Sequence, residues 1–419
     1  MSSARPGGRP STSPPAFAEL WRDLEPLGRD ARSGGYRRFS WTEADARCRS
    51  WFTERATERG LATHADGNGN LWAWWGKPGP GAIATGSHLD SVPDGGAYDG
   101  ALGVVSALAA VDLLQQKSFY PERPVVLGAF TEEEGARFGV ACLGSRLLTG
   151  GIAPETARAL AGDGGVTLAE AMTAAGFDPA AIGPRDDLLA GLAAFVELHI
   201  EQGRALAPLG SCVGVAEGIW PHGRWRLRFG GRADHAGTAE LAGRRDPMLP
   251  FAHAVLAARQ AAAARGGRAT IGKVTAEPGG ANAVPAQVTA WLDARAGDEA
   301  ALAGTVSIVR SVSEKTAAEH GVTLDMRQES YSPPVRFDAE LRDRIIGVLA
   351  AAGMAAPVLP TAAGHDAGVL AARLPAAMLF VRNPSGISHS AAEHADLADC
   401  EAGVRALAAV LEDLAGPAR

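Results

Sequence analysis

One short stretch of the sequence concentrates residue types that bind metal ions. The segment GSHLDSVPDGGAYDG, residues 86–100, places His88, Asp90 and Asp99 among glycines, directly after an apolar run. Histidine nitrogens and carboxylate oxygens are common metal ligands, and glycine lets the backbone approach an ion closely. Taken alone, His88 would more often be a hydrogen-bonded core or loop residue, and Asp99 a helix cap or turn residue. This stretch alone therefore does not predict a metal site, and further candidate ligands must be found elsewhere in the chain.

Three further segments carry the same residue types at the ends of apolar runs. TEEEG contains Glu133 and Glu134, ELHIEQG contains His199, and GISHS contains His389. Functional groups of open parallel sheets gather beyond the carboxyl ends of the strands, so we expect these side chains to meet. Chance alone would rarely place so many nitrogen and oxygen ligands at the ends of successive elements.

The residue types also indicate the chemistry. Three histidines, one terminal glutamate and one bridging aspartate suit two divalent ions a few ångströms apart. None of the candidates is a cysteine, which argues against a structural zinc site and fits a hydrolytic centre of Zn, Mn, Co or Ni. Glu133 adjoins Glu134 but points the other way on an extended backbone, so it is placed to act as a general base.

The pattern around these residues predicts an α/β fold. A helix is expected over residues 42–59, followed by strands over 70–76 and 81–90. A helix of small apolar residues over 100–117 and a strand beginning near 123 come next. The order strand, helix, strand predicts a mostly parallel mixed sheet covered by helices.

The pattern of polar and apolar residues changes after residue 212. GRWRLRFGG alternates polar and apolar residues, as a half-exposed antiparallel strand does, and a helix, two strands and a second helix follow. We therefore predict a disordered tail over 1–15, a catalytic domain over 16–212 and 328–419, and an inserted α+β domain over 213–327.

Composition limits the function classes. The chain has 419 residues, a net charge of −7 and no basic cluster, which argues against nucleic-acid binding. Its four cysteines are scattered, a usage typical of a reducing cytoplasm. The sequence contains neither the roughly 20 apolar residues of a membrane helix nor the apolar core of a signal peptide. We expect a cytoplasmic protein with no membrane or nucleic-acid partner.

Seven motifs, in order along the chain, resemble those of one enzyme family. They are GSHLDSVPDGGAYDG, TEEEGARFG, ELHIEQG, ADHAGT, GGANAVPAQV with LDAR, GHDA and GISHSAAE. Together they resemble the dimetal amidases of the hydantoinase/carbamoylase branch of the aminoacylase/carboxypeptidase superfamily, over about residues 86–393. The resemblance implies a zinc-exopeptidase-like catalytic domain, an inserted domain that serves as dimerisation surface and lid, and a homodimer.

The resemblance also implies a role for each matching residue around the metal ions. The implied ligands are His88 and His199 for one ion, Glu134 and His389 for the other, and Asp99 as the bridge between them. Glu133 would be the general base, and Asp90 would orient the imidazole of His88.

The remaining roles implied by the resemblance concern the substrate. His235 would polarise the scissile carbonyl, and Asn282 with Arg295 would bind a substrate carboxylate, although Arg295 alone could be a surface strand residue. Two further contacts are implied: Gln202 with the substrate amide, and the loop of Gly364 and His365 with the ureido group.

We predict hydrolysis of a ureido carbon–nitrogen bond in a small carboxylate-bearing substrate, with two divalent ions per subunit. Allantoate or an N-carbamoyl-L-amino acid is expected, with an N-formyl or N-acyl amino acid as an alternative. A dimetal peptidase and a non-catalytic binding protein with this fold are less favoured interpretations. Ala239-Glu240, Ala281 and the Trp- and Arg-rich GIWPHGRWR depart from the family pattern and leave the substrate side chain open.

Overall fold

The computed structural model describes residues 16–418, so the predicted tail at 1–15 lies outside the described residues. The chain divides into two compact units. The first takes in the chain up to Glu217, Phe337–Leu359 and the residues from Gly364 onward, and the second comprises Gly218–Arg336 and Pro360–Ala363. The predicted domain limits at 213 and 327 stay a prediction.

Helices and strands alternate along most of the chain. The helices are α1 Ala16–Leu24, α2 Glu43–Glu58, α3 Ala101–Gln116, α4 Leu143–Thr149, α5 Pro154–Arg158, α6 Leu168–Ala174, α7 Asp186–Gly191, α8 Leu206–Leu209, α9 Met248–Ala263, α10 Glu299–Glu319, α11 Ala339–Ala351, α12 Asp366–Leu370 and α13 Leu397–Ala415, with 3₁₀ turns at Asp163–Gly165 and Pro179–Ala181. The strands are β1 Ala62–Ala65, β2 Leu71–Trp75, β3 Ala82–His88, β4 Val125–Phe130, β5 Leu192–Ile200, β6 Val213–Ile219, β7 His222–Gly230, β8 Asp234–His235, β9 Arg268–Glu277, β10 Ala283–Val284, β11 Gln287–Arg295, β12 Thr323–Ser332, β13 Val335–Arg336, β14 Val358–Thr361 and β15 Ala376–Val381.

The sheet of the first unit has a parallel centre. Its strand order is β1-β2-β4-β3-β5-β15-β6, and β4, β3, β5 and β15 run parallel to one another. β2 and β6 flank this centre in antiparallel pairing. The predicted fold class, α/β with a mostly parallel mixed sheet and helices, is confirmed.

Glycines bring the central elements of the first unit close together. A Cβ at Gly86 of β3 would overlap the backbone of Gly128 on β4, and one at Gly103 of α3 would overlap the carbonyl of Leu198 on β5. Glycine at these two positions lets β4 lie directly against β3, which carries His88, and lets α3 lie directly against β5, which carries His199. The predicted helix over 42–59 forms as α2, with the side chain of Thr42 accepting from the backbone N–H of Asp45.

The second unit is a two-layer α+β structure. Its four-stranded antiparallel sheet has the order β12-β7-β11-β9. Trp225, Leu227 and Phe229 of β7 are buried in a core shared with α9 and α10, whereas the alternate residues of β7 lie on the other face. β12 was not predicted, and the expected domain limit at 327 falls inside it.

Among residues 16–418, none of the helices is both long and apolar enough to cross a membrane.

Candidate metal centre

Two buried histidines stand at the carboxyl edge of neighbouring parallel strands. His88 is the last residue of β3, and His199 is the second-last residue of β5. Both side chains are almost completely buried, and their ring centroids are 5.8 Å apart. The strand ends therefore bring the two imidazoles together, as the sequence pattern predicts.

Backbone carbonyls fix the orientation of both rings. The Nδ1 atom of His88 lies 3.1 Å from the carbonyl oxygen of Asp90, and Nδ1 of His199 lies 2.9 Å from that of Ile200. A carbonyl only accepts hydrogen bonds, so each Nδ1 carries the proton and each Nε2 keeps its lone pair. For His199, the N–H of Gly100 donates to this Nε2 at 3.2 Å, in agreement with that tautomer.

Asp99 lies between two groups of potential ligands. One group is His88, Asp99 and His199, and the other is Asp99, Glu134 and His389. Nε2 of His199 lies 3.3 Å from Oδ1 of Asp99, and Nε2 of His389 lies 3.3 Å from its Oδ2. These groups have the same members as the two ligand sets that the resemblance implies. The ligand role of each residue stays a prediction.

The donor set fits divalent cations. Oε1 of Glu134 is buried and has no hydrogen-bond partner among the described residues, which leaves a desolvated carboxylate oxygen uncompensated. Burial, together with the charges of Asp99 and Glu133, raises the pKa of Glu134 well above its usual range. A divalent cation would offset both the desolvation and the repulsion among these carboxylates.

A third group of potential ligands, Glu197, His199 and His365, overlaps the first. The carboxylate of Glu197 already accepts from the Ser87 hydroxyl at 2.7 Å and from the Ala367 N–H at 2.8 Å. Glu197 therefore supports the sheet edge and is a weak candidate ligand. The ring of His365 stands edge-on to that of His199, with centroids 4.5 Å apart, so the structure brings this predicted substrate contact to the cluster.

Asp90 contacts both His88 and the TEEEG segment, residues 131–135, which is called the acidic loop. Its two carboxylate oxygens accept from the backbone N–H groups of Glu133 and Glu134, each at 3.1 Å. Oδ1 of Asp90 also lies 3.5 Å from Nδ1 of His88. The role of Asp90 in orienting His88 stays a prediction. Asp90 also fixes the backbone of Glu133 and Glu134.

Glu133 is buried beside the histidines. Its Oε2 lies 3.7 Å from Nε2 of His88, and its Oε1 accepts from the thiol of Cys142 at 3.2 Å. Burial raises the pKa of Glu133 to about 7, which suits a group that takes and returns a proton near neutral pH. The scattered positions of the cysteines in the sequence do not predict this contact.

Two further buried carboxylates were missed. Glu132, at a positive φ of 56°, accepts from the N–H groups of Arg137 and Phe138, each at 2.8 Å, and shapes the acidic loop. Glu393 accepts from the N–H of Asp99 at 3.0 Å and so supports the residue between the two ligand groups. Burial raises the pKa of both carboxyls to about 7. Their only sequence signal is that they lie within the quoted motifs TEEEG and GISHSAAE.

Gln202 is drawn into the same cluster. Its side-chain amide nitrogen donates to Oδ1 and Oδ2 of Asp99 at 3.1 and 3.0 Å. The same nitrogen lies 3.2 Å from the hydroxyl oxygen of Ser388. Its predicted contact with the substrate amide stays a prediction.

Three candidate residues, His235, Asn282 and Arg295, belong to the second unit, whereas Gly364 belongs to the first. His235 is the last residue of β8, and Asn282 immediately precedes its partner strand β10. The carbonyl of Asn282 accepts from the N–H of Ala236. Nδ1 of His235 accepts from the N–H groups of Gly237 and Thr238 at 3.0 and 3.1 Å, so the ring proton is on Nε2. This tautomer makes Nε2 a hydrogen-bond donor, as a group that polarises a carbonyl must be.

Arg295 ends β11 and is held by two partners. Its Nε and Nη2 donate to the two carboxylate oxygens of Asp293 at 2.8 and 3.2 Å, and its Nη1 donates to the carbonyl of Ala362 at 2.8 Å. Three of its five N–H groups are thereby used. Among residues 16–418 the other two have no acceptor, so they are available to a ligand.

Fold and site together define the class of protein. A mixed sheet whose carboxyl edge gathers histidines and carboxylates suited to divalent cations is the architecture of a metal-dependent hydrolase. Residues 84–413 match the model of peptidase family M20/M25/M40, and the chain belongs to this family.

Individual relatives refine the comparison. The chain is 34% identical to an N-carbamoyl-L-amino acid amidohydrolase of Geobacillus stearothermophilus over 93% of this chain and 96% of the relative. It is 32% identical to an allantoate amidohydrolase of Escherichia coli (strain K12), over 96% and 98%. The crystal structure of a hydantoinase/carbamoylase family amidase from Burkholderia vietnamiensis superimposes with a TM-score of 0.86 at 29% identity, covering 96% and 97%. The predicted hydantoinase/carbamoylase resemblance is confirmed, as is the class of hydrolase acting on carbon–nitrogen bonds other than peptide bonds.

Proposed function

We propose that the chain hydrolyses a ureido carbon–nitrogen bond of a small carboxylate-bearing substrate, either allantoate or an N-carbamoyl-L-amino acid. The observation that carries the proposal is the pair of ligand groups sharing Asp99, with the Glu133 carboxylate beside them. The named relatives, which span nearly the whole chain, support the substrate class. Two divalent ions, zinc or manganese, would be held by His88, His199, Asp99, Glu134 and His389.

The proposed mechanism divides the work among this chain's side chains. The ions, when bound, supply Lewis acidity that eases deprotonation of water and polarises a carbonyl. Glu133 takes the proton of the attacking water and delivers it to the leaving nitrogen. Nε2–H of His235 donates to the carbonyl oxygen as negative charge develops there. A carbamoyl group leaves as carbamate, which decomposes to ammonia and carbon dioxide. From allantoate the remaining product is ureidoglycine, and hydrolysis of its amine by a second water gives ureidoglycolate and a second ammonia.

We further propose that the protein is a cytoplasmic homodimer. All four cysteines are free thiols, in keeping with a reducing compartment. The dimer rests on the family resemblance. Sedimentation of the purified protein tests it, because a single species at the mass of one chain would contradict the proposal.

The first test is a substrate panel. Purified protein loaded with Mn or Zn should release ammonia from allantoate or from N-carbamoyl-L-amino acids. Hydrolysis of N-formyl and N-acetyl amino acids or dipeptides, followed by the appearance of free amino acid, should be much slower. Dialysis against a chelator should abolish the release, and added Mn or Zn should restore it. Activity that resists the chelator would contradict the metal-dependent mechanism, and preferential cleavage of dipeptides would favour a peptidase instead.

Arg295→Ala should raise KM at least about tenfold, because a charge-assisted contact with the substrate carboxylate is lost. Metal content should stay unchanged. Arg327→Ala is the matched control, since Arg327 forms the same contact with a carboxylate two residues earlier, that of Asp325, on another strand of the same sheet. Equal effects of the two substitutions on KM would show that Arg295 has only a structural role.

A further inference from the structure

Within the second unit, the helices α9 and α10 pack on one face of the sheet, and the opposite face carries neither of them. The apolar residues of β7 and β11, such as Leu227 and Leu292, are buried in the core shared with α9 and α10. The alternate residues of these strands therefore point to the opposite face, because successive side chains of a strand alternate. A cavity of about 340 Å³ lies on this face, a size that suits a small ligand.

The cavity is lined by residues from all four strands of the sheet. They are Arg224 of β7, Thr270, Gly272 and Lys273 of β9, Trp291 and Asp293 of β11, and Glu329 of β12. Arg224 comes from the GIWPHGRWR segment that departs from the family pattern. One cationic side chain of the cavity therefore comes from a segment that departs from the family pattern.

The charges that remain available in the cavity are positive. Asp293 is occupied by Arg295, and Glu329 forms an ion pair with Arg226 at 3.4 Å. Within the described part of the chain, neither Arg224 nor Lys273 has a carboxylate within ion-pair distance. The two carboxylates are therefore neutralised by arginines that do not line the cavity, whereas the charges of Arg224 and Lys273 are not neutralised. The cavity consequently favours an anionic ligand.

Trp291 gives the cavity an apolar wall. Its indole is half-buried, and the ammonium nitrogen of Lys273 lies 4.8 Å from the ring centroid. A cation held over an aromatic face leaves the ammonium hydrogens free to meet an anion. A ligand with a short aliphatic chain that ends in a carboxylate would suit this cavity. Its methylene groups would contact Trp291, and its carboxylate would contact the two cations.

The cavity adjoins the predicted carboxylate-binding arginine. Asp293 lines the cavity and holds Arg295, which lies two residues further along β11, a separation of about 6.6 Å along a strand. Arg224 pairs directly across from Asp293 in the sheet. One small molecule with two carboxylates a few carbon atoms apart can therefore reach Arg295 with one of them and the cavity with the other.

We infer that this cavity binds an acidic substrate side chain, so that the preferred substrates are N-carbamoyl derivatives of dicarboxylic L-amino acids. The inference rests on the proposed function and narrows it. Arg224 and Lys273 bind the side-chain carboxylate, the methylene groups pack on Trp291, and Arg295 binds the α-carboxylate.

The test compares N-carbamoyl-L-glutamate with N-carbamoyl-L-glutamine, which have the same shape and differ in charge. The unmodified enzyme should favour the glutamate derivative in kcat/KM, and the double variant Arg224→Gln/Lys273→Gln should reduce that preference about tenfold or more. The control is Arg259→Gln/Lys315→Gln, which removes two surface cations from α9 and α10 of the same unit and should leave the preference unchanged.

The outcomes separate this inference from the proposed function. Turnover of both derivatives with no preference, or a preference that survives in the double variant, would overturn the acidic subsite and leave the proposed function standing. If no carbamoyl compound is hydrolysed, the proposed function fails, and calorimetric binding of N-carbamoyl-L-glutamate to the unmodified protein and the double variant still decides the subsite. Equal affinity of the two proteins would refute it.

Discussion

Glu133→Gln should lower kcat by about a thousandfold or more while the protein binds divalent ions to the same stoichiometry, since general-base catalysis contributes about 10²–10⁴-fold. Glutamine has the shape of glutamate but cannot accept the proton of water. Its carbonyl oxygen can still accept from the Cys142 thiol, so the side chain should stay in place. Ammonia release measures kcat, and elemental analysis of the dialysed protein measures metal content.

Glu132→Gln is the matched control for this prediction. Glu132 precedes Glu133, is also buried, and likewise has its pKa raised to about 7 by burial. Its Oε1 accepts from the amides of Arg137 and Phe138, and a glutamine oxygen can do the same. The control should therefore retain kcat within about tenfold, the cost of weakening two charge-assisted hydrogen bonds. Similar losses in both variants would indicate disruption of the loop and would count against Glu133 as the base.

The candidate ligands could be predicted because strand ends and residue types are local features of the sequence. An apolar run that stops at His88, or a run of glutamates after β4, marks a sheet edge without knowledge of the partners. The membership of the two ligand groups came from the family resemblance, because spacing alone cannot decide which histidine meets which carboxylate. The structure brings the same residues together around Asp99.

The supporting residues could not be predicted for a physical reason. Cys142 and Glu393 act on Glu133 and Asp99 through contacts that depend on tertiary structure, and Glu393 is 294 residues from Asp99 in sequence. β12 was missed because Leu324 and Met326 are its only side chains packed in the core of the second unit, which gives a weak alternation signal. The supporting contacts of Cys142 and Glu393 and the packing of β12 thus depend on the tertiary structure, which the residue types alone do not specify.

Gly100→Ala should lower the affinity for divalent ions at least about 100-fold, because displacing a group that supports metal ligands typically costs 10–100-fold and this change displaces a predicted ligand itself. Gly100 precedes α3 with a φ of +65°, and a Cβ there would overlap the imidazole of His88. The ring is buried and held through Nδ1, so it cannot move aside without losing its orientation. Competition with a metal-binding dye measures the affinity without reference to turnover.

Gly60→Ala separates displacement of His88 from backbone strain. Gly60 follows α2 with a φ of +74°, close to that of Gly100, but a Cβ there would meet no atom within 4 Å. Both alanines therefore carry the penalty of a left-handed backbone, about 1 kcal/mol in the free energy of unfolding, but only one meets an imidazole. Gly60→Ala should lower the melting temperature slightly and keep full metal affinity. If Gly100→Ala does the same, the Nε2 atom of His88 does not bind a metal ion at this site.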